Sequence, residues 1–321
     1  MARTARLRAY AKLNLGLRVL YRRPDGYHEL RTVFQTISLA DSLEISFEPA
    51  RSVSIAMEGT PEIADNLAER AARLVMEAAG KTGAVRLRLR KAIPSGAGLG
   101  GGSSDAAAVL LALPVLGALA IPPERLLEVA AQLGSDVPFF LYGGAALGLG
   151  RGEELYPLPD FPAQQALLIA SDVQSSTADA YRDLSATLTG DSLTKVGLQN
   201  KLNSFQRGVW GDVSGSSKSS IINDFEEVVF ARYPVLAEVR EKLKRSGATR
   251  VAMTGSGSAI FGIFDNPGKL ERARLAWNRP GERAFAVSFV SRARYRTAWR
   301  RALDQDRKGN DLWPPQSRHA R

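Results

Sequence analysis

The chain of 321 residues contains no cysteine. That absence excludes a thiol nucleophile, a thiolate metal site and a disulfide-stapled scaffold, and leaves no sign of an oxidising compartment. Histidine is nearly absent too, with only His28 and His319. Long apolar runs are missing: the longest, Ala106 to Ile121, is cut by Pro114 and Gly117, short of the ~18 uninterrupted residues a membrane span needs. The opening MARTARLRAYAKLNLGL has no apolar signal core, so a soluble, cytoplasmic protein without a membrane partner is expected. With 45% hydrophobic and 24% charged residues, disorder and a collagen-like chain are excluded. The length suits one large or two ordinary domains, at roughly 100 to 200 residues each.

The net charge of +10 invites a nucleic-acid reading, but its distribution argues otherwise. Residues 292–321 carry nine Lys/Arg against three Asp, which leaves only +4 for the rest of the chain. Elsewhere arginines alternate with apolar residues, as at Arg86, Arg88 and Arg90. No aromatic-interleaved basic patch appears, so no nucleic-acid partner is expected, only a mildly cationic site for an anionic ligand.

From Leu7 to Val19 apolar residues occupy the odd positions, a period of two that predicts a strand with Lys12 and Asn14 on the face opposite the core. The turn RRPDG leads to a second extended region, Tyr27 to Leu39, and a third strand is predicted over Leu43 to Phe47. Asp65 or Asn66 caps a helix with apolar positions Leu67, Ala71, Leu74, Val75 and Ala78, stopped by Gly80. Further helices are predicted from Pro122, around SDVPFFLYGG, from Asp224 and over Pro234 to Ser246, with a strand at ALLIA from Ala166. The Ser/Gly-rich stretch from Gly211 to Ser220 reads as loop. In VAMTGSGSAIFGIF two apolar strands flank a glycine/serine turn. Residues 304–321 have no periodicity and read as a disordered basic tail, whose removal is expected to change little.

The most informative segment is PSGAGLGGGSSDAAAVLLAL. Its glycines allow close approach to a ligand, Ser103 or Ser104 can cap the helix that follows, and a glycine-rich turn feeding a helix N-terminus is a phosphate cradle. Gly96, Gly98 and Gly101 satisfy G-x-G-x-x-G, so a dinucleotide oxidoreductase must be weighed. The acidic residue that fingerprint needs about 20 positions on would fall in LPVLGALAIPPE, which offers none at a strand end. A Walker A loop is absent, since Val75 stands where the first glycine should be, and there is no His-Arg-Asp loop of a protein kinase.

PSGAGLGGGSSDAAA resembles the ATP loop of the GHMP kinases, and MTGSGSAIF resembles their third, glycine-rich motif. The blocks AKLNLGLRVLYRRPDGYHEL and LGSDVPFFLYGGAALGLGRGE are similar to members that phosphorylate a cytidine diphosphate ester in non-mevalonate isoprenoid synthesis. The resemblance implies an α+β, two-domain fold: an N-terminal domain like ribosomal S5 domain 2 over residues 1–160, and a C-terminal ferredoxin-like α/β sandwich over 161–303. It implies transfer of the γ-phosphate of ATP, with Mg²⁺, to the C2 hydroxyl of the ester's methylerythritol unit. The protein is expected to be a monomer or weak homodimer. Another GHMP small-molecule kinase is the nearer alternative, and a nucleic-acid-binding protein of S5-like fold the alternative of a different class.

By the same resemblance Asp136 matches the catalytic aspartate; read from the residues alone it could instead be the N-cap of the VPFFLYG helix. Lys12 matches the catalytic lysine, and Asn14, one pleat along, a substrate-positioning residue. Pro94, Ser95, Gly96, Ala97, Gly98, Leu99, Gly100, Gly101, Gly102, Ser103 and Ser104 are implied to bind ATP, with Ser103 or Ser104 reaching Mg²⁺; no metal ligand beyond these is predicted. Tyr27 and His28 match the cytosine site, one stacking on the base and the other reading its edge. Tyr181, with Thr177 nearby, falls where a second aromatic face of the cytosine sandwich belongs. Pro114 is expected to end the helix after the loop early.

Overall fold

The computed structural model describes residues 2–58, 65–188, 194–213, 221–309 and 312–319. The first half comprises β1 (Arg3–Arg22), β2 (His28–Glu48), β3 (Ser54–Glu58), α1 (Leu67–Ala79), β4 (Ala84–Arg90), α2 (Gly101–Gly117), α3 (Pro123–Leu133), α4 (Val137–Tyr142), β5 (Ala145–Leu149) and β6 (Glu154–Pro157). Its six-stranded sheet runs β3-β4-β2-β5-β6, with β1 paired along β2. The two strands predicted between Tyr27 and Phe47 are one. Thr32–Gln35 of β2 pairs with β5 and Ser42–Glu48 with β4, while β1 pairs with it on both stretches. A break in alternation near Asp41 therefore marks a change of neighbour and not a strand end.

Helix α1 is capped by Asn66, whose Oδ1 accepts from Ala68 N at 2.9 Å, and ends on left-handed Gly80. It buries Ala68, Ala71, Ala72, Val75 and Met76 on α2 and the sheet. Every residue of α2 from Ser104 to Leu116 is buried, as expected of a helix apolar all round. Pro114 does not end it. The helix runs on to Gly117, because complete enclosure by packing outweighs the ~3 kcal/mol of an interior proline.

The second half comprises β7 (Gln165–Ser171), α5 (Thr177–Thr187), α6 (Lys195–Val213), α7 (Phe225–Arg232), α8 (Pro234–Arg245), β8 (Arg250–Met253), β9 (Ile260–Phe264), α9 (Pro267–Leu275), β10 (Glu282–Ser288) and α10 (Arg292–Ala302). Its sheet is antiparallel throughout, in the order β10-β7-β9-β8, the ferredoxin-like arrangement. Most of the stretch predicted as loop, residues 214–220, lies outside the described residues; Gly211 to Val213 close α6.

Two expectations about the C-terminal region are corrected. Helix α10 does not belong to the second domain: Tyr295 and Trp299 enter the first domain's core beside Phe139 and Phe140, and Tyr295 Oη donates to Phe140 O at 2.5 Å. Nor is the tail featureless. Trp313 Nε1 donates to Leu141 O at 2.7 Å, its ring meets Tyr295 edge-on, and the Arg296 guanidinium lies over it. Lys308 N to Gln316 O and Arg318 N to Asp306 O close the segment on itself. The Trp313 indole, an Arg3–Asp306 ion pair and an Arg307 bond to Arg300 O anchor it, and such scattered anchors produce no periodicity. Among the described residues no helix is long and apolar enough to cross a membrane.

Deleting residues 304–321 should therefore lower the melting temperature. Losing a half-buried Trp costs about 2 kcal/mol or more, which at roughly 2–4 °C per kcal/mol is a drop of several degrees. Calorimetry checks it; an unchanged melting temperature would mean that the Trp313 contacts add nothing.

Candidate active site

The centre of the site is the middle of β1. Alternation correctly places Lys12 and Asn14 on one face, but that face is not exposed: Lys12 is 3% and Asn14 2% accessible. The second domain covers it, because Thr254, following β8, lies directly on β1: Asn14 N donates to Thr254 Oγ1 at 3.1 Å. The Lys12 ammonium donates to Asn14 Oδ1 at 2.7 Å and lies over the Phe34 ring. Asn14 Nδ2 donates in turn to Thr32 Oγ1 at 2.7 Å, and Thr32 to Gly16 O at 2.8 Å. Asn14 is thereby held by three residues, with its oxygen turned to Lys12.

Asp136 stands at the start of α4 but makes no side-chain cap hydrogen bond. Its carboxylate instead faces Lys12, Oδ2 to Nζ 3.4 Å, and is 30% accessible. The N-cap alternative is therefore not what the side chain does. A carboxylate that is partly open to a cavity and placed beside a buried ammonium is positioned to take a proton from a hydroxyl.

The glycine-rich loop enters from β4. Helix α2 begins earlier than expected, at Gly101, with left-handed Gly100 as N-cap and no side-chain cap from Ser103 or Ser104. The first-turn N–H groups of α2 thus lack intrahelical acceptors, as an anion site requires. Two positions demand glycine. A Cβ on Gly98 (φ +76°) would lie 2.2 Å from Thr254 O, and one on Gly100 would strike the Phe140 ring and press on the Lys12 stem. The loop is also clamped to the second domain: Ala259 N donates to Ala97 O at 3.2 Å and Thr254 Oγ1 to Gly98 O at 3.3 Å, while within that domain Asn223 Nδ2 donates to both Met253 O and Gly255 O at 2.8 Å and holds the third motif.

Two cavities meet here. One of about 350 Å³ is lined by Pro94 to Ser103 with Asn66 and Lys91; the other, about 290 Å³, by Lys12, Asn14, Asp136, Arg151, Thr177 and Tyr181 among others. They share Gly98, Gly100 and Ser103. Of the residues expected to bind ATP, Ser104 alone lies outside both cavities, and its Oγ is buried without a hydrogen-bond partner.

The residues expected around a base are arranged differently from a sandwich of Tyr27 and Tyr181. Tyr181 is stacked on His28, centroids 5.0 Å apart, and meets Phe225 edge-on. Tyr27 is 56% accessible, with the Arg151 guanidinium 4.6 Å from its ring centroid. Burial, and after it the Arg22 charge, lower the His28 pKa from its ordinary value, which favours a neutral ring. Burial, then Asp136, raises that of the Tyr181 phenol. Thr177 Oγ1 is 2.8 Å from Ser256 Oγ, linking α5 to the third motif.

Sequence reasoning missed several contributors. Asn223 and Thr254 act through contacts distant in the chain. Arg151, held by Glu153, sat in a segment read only as a turn. A buried cluster beside the loop was also missed: Lys91 Nζ donates to Asp41 Oδ2 at 2.5 Å and to Asp105 Oδ2 at 2.8 Å, while Asp41 Oδ1 accepts from Ala92 N and Ile93 N. Charged residues abutting apolar runs were the available signal. Burial pushes the Asp105 carboxyl up to about 7, against the attraction of Lys91. Among the described residues, no group of three or more His, Asp or Glu could hold a metal ion.

This architecture is that of the GHMP kinases: the chain matches their N-terminal domain over residues 66–144 and their C-terminal domain over 204–283. It is 54% identical to the 4-diphosphocytidyl-2-C-methyl-D-erythritol kinase of Solibacter usitatus, over 99% of this chain and 98% of that one. A crystal structure of 4-(cytidine 5'-diphospho)-2C-methyl-D-erythritol kinase superposes with a TM-score of 0.72 at 40% identity, covering 90% of this chain and 99% of the other. Homoserine kinase from Cytophaga hutchinsonii, 18% identical with a TM-score of 0.68 over 90% of this chain and 95% of its own, shares the fold. The chain belongs to the 4-diphosphocytidyl-2-C-methyl-D-erythritol kinase family.

Two outcomes follow from this geometry. Gly98→Ala combines a strained φ, costing on the order of 1–3 kcal/mol, with a collision against backbone, so it should raise the KM for ATP at least several-fold; unchanged ATP kinetics would contradict the clamp. The Asp105 pKa, about 7 when folded, lies above its ordinary value of 3.8, so the folded protein holds the extra proton between them. Stability from this group is full below pH 3.8 and is lost as pH rises towards 7. Denaturant titrations of wild type relative to Asp105→Asn should show that decline and then a plateau.

Proposed function

We propose that the chain transfers the γ-phosphoryl group of ATP to the C2 hydroxyl of 4-(cytidine 5'-diphospho)-2-C-methyl-D-erythritol, in the non-mevalonate route to isoprenoid precursors. The observation that carries this is the Lys12–Asp136 pair at 3.4 Å, beside two cavities that share the loop glycines. In this reading ATP occupies the cavity along the loop, with its phosphates on the α2 N-terminus, and the alcohol reaches Asp136 from the other.

Phosphoryl transfer asks the protein chiefly to position groups and to offset charge. Asp136 Oδ2 accepts the hydroxyl proton as the new O–P bond forms and the bond to the β-phosphate oxygen breaks, releasing ADP. Lys12 faces Asp136 and offsets charge on the transferring group. Asn14 holds the ammonium in place. The Ser103 hydroxyl, which lines both cavities, and the unpartnered Ser104 Oγ beside it would hold a magnesium ion bound with ATP, a hard cation that takes few protein ligands, keeps several waters and would neutralise phosphate charge.

We assign the cytidine to Thr177 and Tyr181, which line the second cavity, with His28 stacked on Tyr181 and Tyr27 over which Arg151 of the same cavity lies. His28 reads the base edge, and Tyr27 is the open aromatic face. We further expect a cytoplasmic monomer or weak homodimer, which sedimentation of the purified protein tests.

Asp136→Asn should fold normally and lose roughly 10² to 10⁴ in kcat, the range for a positioned acid–base group; near wild-type turnover would remove Asp136 from the mechanism. The uridine analogue should lose at least about tenfold in kcat/KM, because unpaired buried polar groups cost roughly 1–3 kcal/mol each. His28→Ala should reduce that preference. Equal use of both esters by wild type would refute the base site and leave the kinase reading standing.

A further inference from the structure

We infer that Ser185 is a positioning residue that sets the tautomer of His28, so that the ring presents Nδ1 as a bare hydrogen-bond acceptor. The inference rests on the reading of His28 as the residue at the base edge, and it supplies the origin of the preference for cytosine.

Ser185 lies in the last turn of α5, and its hydroxyl donates to Tyr181 O at 2.6 Å, the back-bond to residue i−4 available to a helical serine. A hydroxyl has one proton, so Ser185 Oγ has only lone pairs left for its other neighbour. That neighbour is His28 Nε2, at 2.7 Å, which must therefore be the donor. A neutral imidazole with its proton on Nε2 has none on Nδ1. Burial and the nearby Arg22 charge favour the neutral ring. The stack on Tyr181, at 25° between planes, holds the imidazole flat against the residue whose carbonyl anchors the serine. Among the described residues Nδ1 has no hydrogen-bond partner, and it is not among the sealed, unpartnered atoms. An exposed acceptor there pairs with the 4-amino group of cytosine and opposes the O4 acceptor of uracil.

Having only two histidines makes the test direct. The full-length protein, labelled with ¹⁵N-histidine and assigned with His319→Gln, should show His28 with protonated Nε2 and bare Nδ1. In Ser185→Ala the resonances should move towards a mixture of tautomers. The preference in kcat/KM for the cytidine over the uridine ester should fall about tenfold, with the melting temperature unchanged, and Ser185→Thr should restore both. A His28 protonated on Nδ1 in wild type overturns the inference. So does a Ser185→Ala variant that keeps full preference while wild type discriminates, and this outcome leaves the base-site reading intact. A wild type that uses both esters equally overturns that reading and the inference with it.

Discussion

The ammonium of Lys12 is buried in the middle of a strand, and much of the site exists to partner it there. An unpaired buried ammonium costs several kcal/mol or neutralises by losing its proton. Here Asn14 and Asp136 supply two acceptors, and each is itself held: Asn14 by Thr32 and Thr254, Asp136 by its place at the head of α4. Glycines at 98 and 100 leave room for Thr254 and for the lysine stem. The phosphate loop, the third motif and β1 are thus parts of one packing problem, and a charge placed there for chemistry also fixes how the two domains meet.

The same logic explains why the second domain is needed although β1, α2 and α4 carry Lys12, the loop and Asp136. Thr254 bonds Asn14 and the loop carbonyl of Gly98, Ala259 bonds Ala97, and Asn223 holds the third motif in place, while α5 brings Tyr181 and Ser185 to His28. In return, α10 and the tail pack on the first domain. Trp313 and Tyr295 hydrogen-bond the carbonyls of Leu141 and Phe140 in α4, so the helix headed by Asp136 is braced from behind by the end of the chain.

What was legible in the sequence was local. Alternation along β1 put Lys12 and Asn14 on one face, and the glycine run with its following helix announced a phosphate cradle. Resemblance then singled out Asp136 and His28. The contact that covers β1 at Asn14 comes from Thr254, 240 residues away, and the one on the His28 ring from Ser185, 157 residues away; no periodicity encodes either. For the same reason the sequence did not show that His28 itself lies against Tyr181. The tail was misread because scattered contacts, and no repeating apolar face, anchor it. Pro114 was misread because burial on all sides overrides a helix breaker's propensity.

The central claim is that the Lys12–Asp136 pair acts on the alcohol of a cytidine diphosphate ester. The most direct measurement is phosphorus NMR of purified protein with ATP and 4-(cytidine 5'-diphospho)-2-C-methyl-D-erythritol, run beside mevalonate and homoserine. The account predicts a new phosphomonoester signal on the methylerythritol unit, equal in amount to the ADP formed, and none with the other two alcohols. ADP without that signal, or phosphorylation of mevalonate or homoserine in its place, would contradict it.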